Sequence, residues 1–426
     1  MMMIYKIHDI CDLIAGFAFK SKDFGNYSDK VIKIADIQPP IVNMESTVGV
    51  DTRQYDINKL QKFIVAKGDY VLAMTGATIG KLGRITSDCK AYINQRVLTF
   101  RPNEQIVNKD YLYYSLCSNN FTKYILNHID SETAQPNISA GSVGGFEISL
   151  PSLGEQRRIV DILIAIDRKI EINKRINDNL EQQAQALYKS WFVDFEPFKD
   201  CEFVDSELGL IPEGWQVGTY EQIIQTTISG DWGKDIITGN YTHKVACVRG
   251  CDFQDMSIGV RGKTPERYIL EKNYQAKRLI DNDVIVEISG GTSTISTGRV
   301  CLINDDLLGK YNNDIVCTNF CKVVRPIQSY GAYLYYSWKY KYDCRVMFGY
   351  ENGTSGIKNF QISDFLSKEP VIIPSEYSIK EFQMIIDTLQ NNIQTNGSEI
   401  MKLESLRDSL LPKLMSGELE INEIDC

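Results

Sequence analysis

The chain has 426 residues, 43% of them hydrophobic and 24% charged, with a formal net charge of −9. That length exceeds one compact core and implies at least two domains, and the composition excludes a disordered or collagen-like chain. No apolar run approaches the ~18 residues needed to cross a bilayer, and Met1-Met2-Met3-Ile4-Tyr5-Lys6 lacks the apolar core and small-residue cleavage site of a signal peptide, so a cytoplasmic chain without membrane association is expected.

The charge is unevenly spread. Residues 1–150 hold 16 Lys/Arg against 15 Asp/Glu, residues 214–370 hold 18 against 17, and the remainder holds 12 against 23. Two near-neutral blocks therefore alternate with two acidic segments. A near-neutral block can still present a basic face, so nucleic-acid binding is permitted but not demanded.

In chain order, the first block opens with short strand-like runs such as Tyr70-Val71-Leu72-Ala73-Met74, broken by Gly-rich turns. A short helix follows around Tyr111-Leu112-Tyr113-Tyr114-Ser115, whose aromatics have core spacing. Pro151 then introduces a long helix, expected over about residues 155–190. A second block repeats the plan, with Asp283-Val284-Ile285-Val286-Glu287 as a strand and Tyr333-Leu334-Tyr335-Tyr336-Ser337 as the short helix. Pro374 introduces a second long helix, expected over about 378–413. Further matches in the same order (Arg101-Pro102 with Arg325-Pro326, Gly76-Ala77-Thr78 with Gly290-Gly291-Thr292) mark a duplication at an offset near 223 residues.

The first long helix places Ile159, Leu163, Ile166, Ile170, Asn173, Asn177, Leu180, Ala184 and Leu187 at steps of four and three, a heptad seam. The second repeats it as Phe382, Ile386, Leu389, Ile393, Asn396, Ile400, Leu403, Arg407 and Leu410, with Arg407 interrupting the seam and Gly397 lowering helix propensity by ~1 kcal/mol. The seams predict an antiparallel pair, because such a pair brings the entry and exit of the second block together. Leu163, Ile166, Ile170, Leu180, Ile386, Leu389, Ile393 and Leu403 should form the apolar contacts. Asn173 and Asn396, at equivalent central positions, are expected to hydrogen-bond to each other and fix the register. The fold class is α/β (α+β): two pseudo-twofold-related blocks of mixed sheet and short helices, separated by two long antiparallel coiled-coil helices. The boundaries are 1–150, 151–200, 201–373 and 374–426. A helix over 155–190 spans ~54 Å, about 16 base pairs of duplex DNA.

Several strings resemble the type I restriction–modification specificity subunits. Leu150-Pro151-Ser152-Leu153-Gly154-Glu155-Gln156-Arg157-Arg158-Ile159-Val160 resembles the start of that family's central conserved helix, and Leu187-Tyr188-Lys189-Ser190-Trp191-Phe192-Val193-Asp194-Phe195-Glu196-Pro197 its end. Ile211-Pro212-Glu213-Gly214-Trp215 resembles the entry to the second recognition domain. Leu406-Arg407-Asp408-Ser409-Leu410-Leu411-Pro412-Lys413-Leu414 resembles the C-terminal conserved region. Within the first block, Gly68-Asp69-Tyr70-Val71-Leu72-Ala73-Met74-Thr75-Gly76-Ala77-Thr78-Ile79-Gly80-Lys81 and Asn94-Gln95-Arg96-Val97 are similar to the family's target-recognition domains. The second long helix departs from the pattern: Pro374-Ser375-Glu376-Tyr377-Ser378-Ile379 lacks the Glu155-Gln156 pair, and looser contacts are expected there. The resemblance implies two target-recognition domains, each reading half of a bipartite double-stranded DNA site. It also implies helices that space them and dock modification (methyltransferase) subunits, to which restriction (translocase–nuclease) subunits attach. S-adenosylmethionine, ATP and Mg are expected on those partners, and no cofactor in this chain.

No catalytic constellation emerges. Gly262-Lys263-Thr264 lacks the first glycine of a P-loop, with Ser257 in its place, and Gln38-Pro39-Pro40-Ile41 lacks the leading amide or acid and the aromatic of an adenine methyltransferase motif. His8, His128 and His243 are scattered, and the pairs Cys247/Cys251 and Cys317/Cys321 read as reduced buried thiols in preference to a zinc site. The chain is therefore read as non-catalytic, with no metal.

Base edges are read by amides, hydroxyls and cations on loops, with glycines allowing close approach. In the first block the candidates are Lys20, Lys22, Thr75, Gly76, Thr78, Lys81, Gln95, Arg96, Gln135 and Asn137. In the second they are Lys234, Lys244, Arg249, Ser289, Gly290, Thr292, Ser293, Arg299, Asn319 and Lys358. Trp191 and Phe192 either form a partner-docking patch or cap the helical rod. The rival to a DNA-specificity reading is a pseudo-symmetric protein–protein scaffold that does not bind DNA; a nuclease or methyltransferase with an unrecognised site stands third.

Overall fold

The computed structural model describes residues 2–130, 136–292, 295–353 and 357–419. It divides into two units, Met1–Asp167 with Ser405–Cys426, and Arg168–Glu404. Among the described residues no helix is long and apolar enough to cross a membrane.

The first unit is built on a six-stranded sheet in the order Cys11–Ala15, Val97–Pro102, Tyr70–Ala73, Leu82–Arg84, Ile41–Val42 and Ile37–Gln38. A four-stranded sheet adds the parallel pair Phe24–Ile32 and Ala91–Ile93. Met3–Lys6 and Glu147–Leu150 pair antiparallel. The second unit repeats the plan. Ile224–Ser229, Cys321–Pro326, Val284–Glu287 and Val300–Leu302 form an antiparallel sheet, Tyr241–Val248 runs parallel to Asp314–Cys317, and Gln216–Thr219 pairs with Pro370–Ile373.

The repeat extends to single contacts. In the first unit Arg101 pairs with Asp69 at 3.1 Å, and the Asp69 carboxylate also accepts the Ala66 N–H. In the second, Arg325 pairs with Asp283 at 2.8 Å and Asp283 accepts the Ile280 N–H. Each aspartate follows a residue in the left-handed region, Gly68 at φ +84° and Asn282 at φ +67°, the two residue types that tolerate it best. Burial pushes the Asp69 carboxyl up, but Lys109, the Ala66 N–H and Arg101 outweigh it and leave the group below its ordinary range. In the tyrosine-rich helices, Lys109–Leu116 and Gly331–Asp343, the stretches Tyr111–Leu116 and Gly331–Trp338 are buried as core. Tyr111 donates to the Ser149 carbonyl at 2.9 Å, and Tyr333 makes the equivalent bond to the Ile372 carbonyl.

The two long helices are Leu153–Phe192 and Glu376–Ser416, a few residues longer at each end than the periodicity implied. Ser152 and Glu155 form a capping box at the first. Gly417, at φ +74°, follows the second as a left-handed C-terminal cap. The helices run antiparallel: in the first unit Asp167 meets Arg407, and in the second Asn177 meets Asn396 while Tyr188 meets Phe382. Leu163, Ile166, Ile170, Ile386 and Ile393 are buried along this seam, and Leu180, Leu389 and Leu403 are half-buried. Phe192 closes the second unit's core, with its ring 4.9 Å from Tyr333 and 5.0 Å from Phe382, and the half-buried Trp191 packs beside it. These two aromatics therefore serve as a cap.

The expected bond between Asn173 and Asn396 does not form. Asn173 instead donates to Glu399 at 2.7 Å, and Asn396 donates to Asn177 at 2.8 Å. The register is shifted by one turn because the buried Asn177 amide has a stronger claim. Its Nδ2 also donates to the Ile258 and Ile393 carbonyls, at 2.9 and 3.1 Å. Nor is the second helix left loose by the missing Glu-Gln pair. In the first unit the Gln156 side-chain oxygen accepts the Asn108 N–H at the start of the tyrosine-rich helix, at 2.7 Å. In the second unit Gln383 does this for Ala332 at 3.0 Å. The interruption at Arg407 is likewise filled, by Asp167 at 3.0 Å.

Gly397 has a packing reason. A Cβ built on it would lie 2.0 Å from the Gly259 carbonyl oxygen, and one on Gly259 would lie 2.5 Å from the Ile393 oxygen. Helix propensity alone predicts that Gly397→Ala stabilises the chain by ~1 kcal/mol. The contact predicts the reverse, a loss of about 2 kcal/mol or more, to be read as a lower urea midpoint for the variant.

Candidate nucleic-acid interface

Each unit gathers a set of loops at one end of its central sheet, held by backbone bonds that repeat almost one for one. In the first unit the tight turn Asn94–Val97 closes with the Val97 N–H on the Asn94 carbonyl, 2.8 Å. Gly16 lies so close to it that a Cβ would sit 2.3 Å from the Ile93 and Asn94 oxygens. The Phe17 N–H bonds to Ile93 O, the Met74 N–H to Arg96 O, and the Ile138 N–H to Met74 O. A bridge joins Thr75 to Asn137.

In the second unit the turn Thr318–Cys321 closes through the Cys321 N–H at 2.9 Å, and a Cβ on Gly230 would lie 2.0 Å from Thr318 O. The Asp231 N–H bonds to Cys317 O, the Ile288 N–H to Phe320 O, and the Phe360 N–H to Ile288 O. Ser289 pairs with Asn359, reinforced by a 2.8 Å bond from the serine hydroxyl to the asparagine side chain. Thr75, Gln95, Arg96 and Asn137 thus correspond to Ser289, Asn319, Phe320 and Asn359.

This frame brings together Gly76, Thr78, Gln95, Arg96 and Asn137 in the first unit, with Gln95 and Arg96 exposed at the turn tip. Thr75 is buried in it, and its hydroxyl oxygen has no hydrogen-bond partner among the described residues. Lys81 is exposed where the same loop ends, and Lys20 and Lys22 are exposed on the segment after Gly16. None of these three lysines forms an ion pair with a described carboxylate. Gln135 lies outside the described residues.

In the second unit the frame gathers Ser289, Gly290, Asn319 and Lys358, and Thr292 is exposed nearby. Ser293 lies outside the described residues. The cations here are committed internally: Lys358 to Glu351 at 2.8 Å, Arg299 to Glu287 at 2.8 Å, Arg249 to Asp252 at 3.1 Å. Lys244 pairs with Glu266 at 2.8 Å on the Tyr241–Val248 strand, and Lys234 bridges to Tyr268 with its ammonium 5.7 Å from the Tyr241 ring; neither belongs to the turn cluster. Asn359 and Phe320 were missed as candidates. Their offsets of 222 and 224 residues from Asn137 and Arg96 were the available signal.

The frame offers amides, hydroxyls and cations on braced turns, which is the chemistry of base-edge and phosphate contacts. Among its described residues it offers no nucleophile paired with a base. Among the described residues no group of three or more His, Cys, Asp or Glu is arranged to hold a metal ion. Burial pushes the thiols of Cys247 and Cys321 up to about 12 and that of Cys317 well above its ordinary value, while Cys251 is exposed.

Residues 1–182 match the family described as "Type I restriction modification DNA specificity domain". The chain is 26% identical to the type I restriction enzyme MjaIX specificity subunit of Methanocaldococcus jannaschii, over 78% of this chain and 73% of that one. It is 25% identical to the HindI specificity subunit of Haemophilus influenzae, over 85% and 89%. A crystal structure of a type I restriction–modification S subunit from M. genitalium shares the fold, with a TM-score of 0.52 at 16% identity, covering 97% of this chain and 96% of that one.

The Arg299–Glu287 pair generates a test. Glu287 is buried, so losing its partner strands a carboxylate. Because the guanidinium is itself part-exposed, Arg299→Ala should cost about 2 kcal/mol in urea unfolding. A purely DNA-facing arginine would leave the midpoint unchanged.

Proposed function

We propose, from the premise that this chain belongs to the type I restriction–modification DNA specificity family, that it selects the target of a modification complex by reading a bipartite DNA site. Residues 1–150 would read one half and residues 201–373 the other. The conserved helical regions, 151–200 and 374–426, would set the gap between half-sites and dock the modification subunits, with restriction subunits joining through them. Specificity subunits are the non-catalytic members of these systems. S-adenosylmethionine, ATP and Mg accordingly belong, in this proposal, to the partners.

One observation carries the reading. Two turn clusters share most of their backbone frame, yet expose different side chains: Gln95-Arg96 on one, Asn319-Phe320 on the other. A scaffold has no need to keep the frame and vary the tips. A reader of two unlike half-sites needs both, because backbone contacts set position while side chains at base edges set sequence.

The test is methylome sequencing of a host carrying this chain with its methyltransferase, beside a deletion of this chain. A split methylated motif that vanishes on deletion is expected; methylation that persists unchanged favours the scaffold reading. Exchanging residues 1–150 for another recognition block should change one half of the motif and spare the other. Lengthening both long helices equally should widen the gap, and an unchanged gap would show that they do not set it.

A further inference from the structure

We infer that Phe320 is a specificity-determining residue that reads a thymine methyl group in the half-site assigned to residues 201–373. The inference rests on the DNA-specificity reading above and adds to it the chemistry of one contact.

Phe320 occupies the tip of the Thr318–Cys321 turn, and three bonds hold its backbone. The Cys321 N–H closes the turn on Thr318 O at 2.9 Å, the Phe320 N–H bonds to the Thr318 hydroxyl at 3.1 Å, and the Phe320 carbonyl accepts the Ile288 N–H at 2.8 Å. The side chain is nevertheless 62% exposed. It stacks on no other ring among the described residues, whereas the aromatics that build this unit's core, such as Tyr333, Trp338 and Phe365, are buried. A rigid backbone that presents a large apolar group to water carries an unfavourable exposure that folding does not require.

The homologous turn of the first unit carries Gln95-Arg96, both able to hydrogen-bond. A phenylalanine side chain cannot hydrogen-bond, and the one apolar group that base pairs offer in the major groove is the thymine 5-methyl. Two further exposed apolar residues stand on the adjoining loops: Ile295, whose carbonyl accepts the Thr292 N–H, and Ile357, next to the Lys358 that pairs with Gly290. The second unit thus presents an aromatic ring at the tip position where the first presents a guanidinium, with two apolar side chains on the loops beside it.

The experiment is methylome sequencing of hosts expressing the full chain with its methyltransferase, as wild type, Phe320→Ala and Phe320→Leu, with the melting temperature of each purified chain as a folding control. For Phe320→Ala, one thymine position in the half-motif governed by residues 201–373 should become degenerate, with about a tenfold loss of discrimination. The other half-motif should stay intact. Phe320→Leu, which keeps an apolar tip, should retain the thymine. An unchanged Phe320→Ala motif, degeneracy at a base other than thymine, or degeneracy in the other half-site would overturn the inference. So would loss of all methylation in both variants at unchanged melting temperature, since that is failure to bind and not failure to discriminate. If the wild type itself gives no motif dependent on this chain, the failure lies with the DNA-specificity reading.

Discussion

A single buried amide sets the register of the long helices where they lie in the second unit. Asn177 is fully enclosed, and its three hydrogen bonds reach two segments: the second helix through Ile393 and Asn396, and the loop ending in Gly259 through Ile258. Sliding one helix by a turn would preserve much of an aliphatic seam but strand this amide. A buried unsatisfied polar group costs about 1–3 kcal/mol. Lys310 adds a second clamp at the same place. Its ammonium donates to Gly259 O, Gln394 O and the Gln394 side chain at 2.6–2.7 Å. Burial among these neutral acceptors pulls its pKa down to about 8. With Gly259 against Gly397, helix register and loop seating are determined together.

Much of the architecture was legible because it is periodic or repeated. The heptad steps marked the apolar seam, the YLYYS strings marked buried helices, and the Arg-Pro landmarks marked strands that do align. The axial offset of the helices was not legible. A heptad pattern says which face is buried but not which turn meets which, and assuming that equivalent asparagines meet placed the contact one turn away. Compensation was also invisible: Gln383 does the work of Gln156 from a position outside the repeat's strict offset, because what matters is reach to a helix N-terminus and not alignment.

The candidate interface was legible at its backbone and obscure at its charges. Counting basic residues treated the two blocks alike. In three dimensions Arg249, Arg299 and Lys358 answer to carboxylates in their own unit, whereas Lys20, Lys22 and Lys81 have no such described partner. Ion pairing is decided by which side chains a fold brings within ~4 Å, information that composition does not contain. Cations already matched add little net field for a polyanion to feel, so the candidate cations of the two blocks differ in what they offer it although the blocks have equal formal charge.

The turn clusters have a consequence for how such a molecule can change over generations. Ile288 N–H on Phe320 O, Met74 N–H on Arg96 O, and the turn-closing bonds at Val97 and Cys321 are all main chain to main chain. These bonds do not depend on which side chain the tip carries, so a tip residue can change without breaking them, whereas the glycines and buried residues beneath cannot change so cheaply. Evolvability is thereby separated from stability: new side chains can be sampled at the tips while the main-chain bonds that seat them stay as they are.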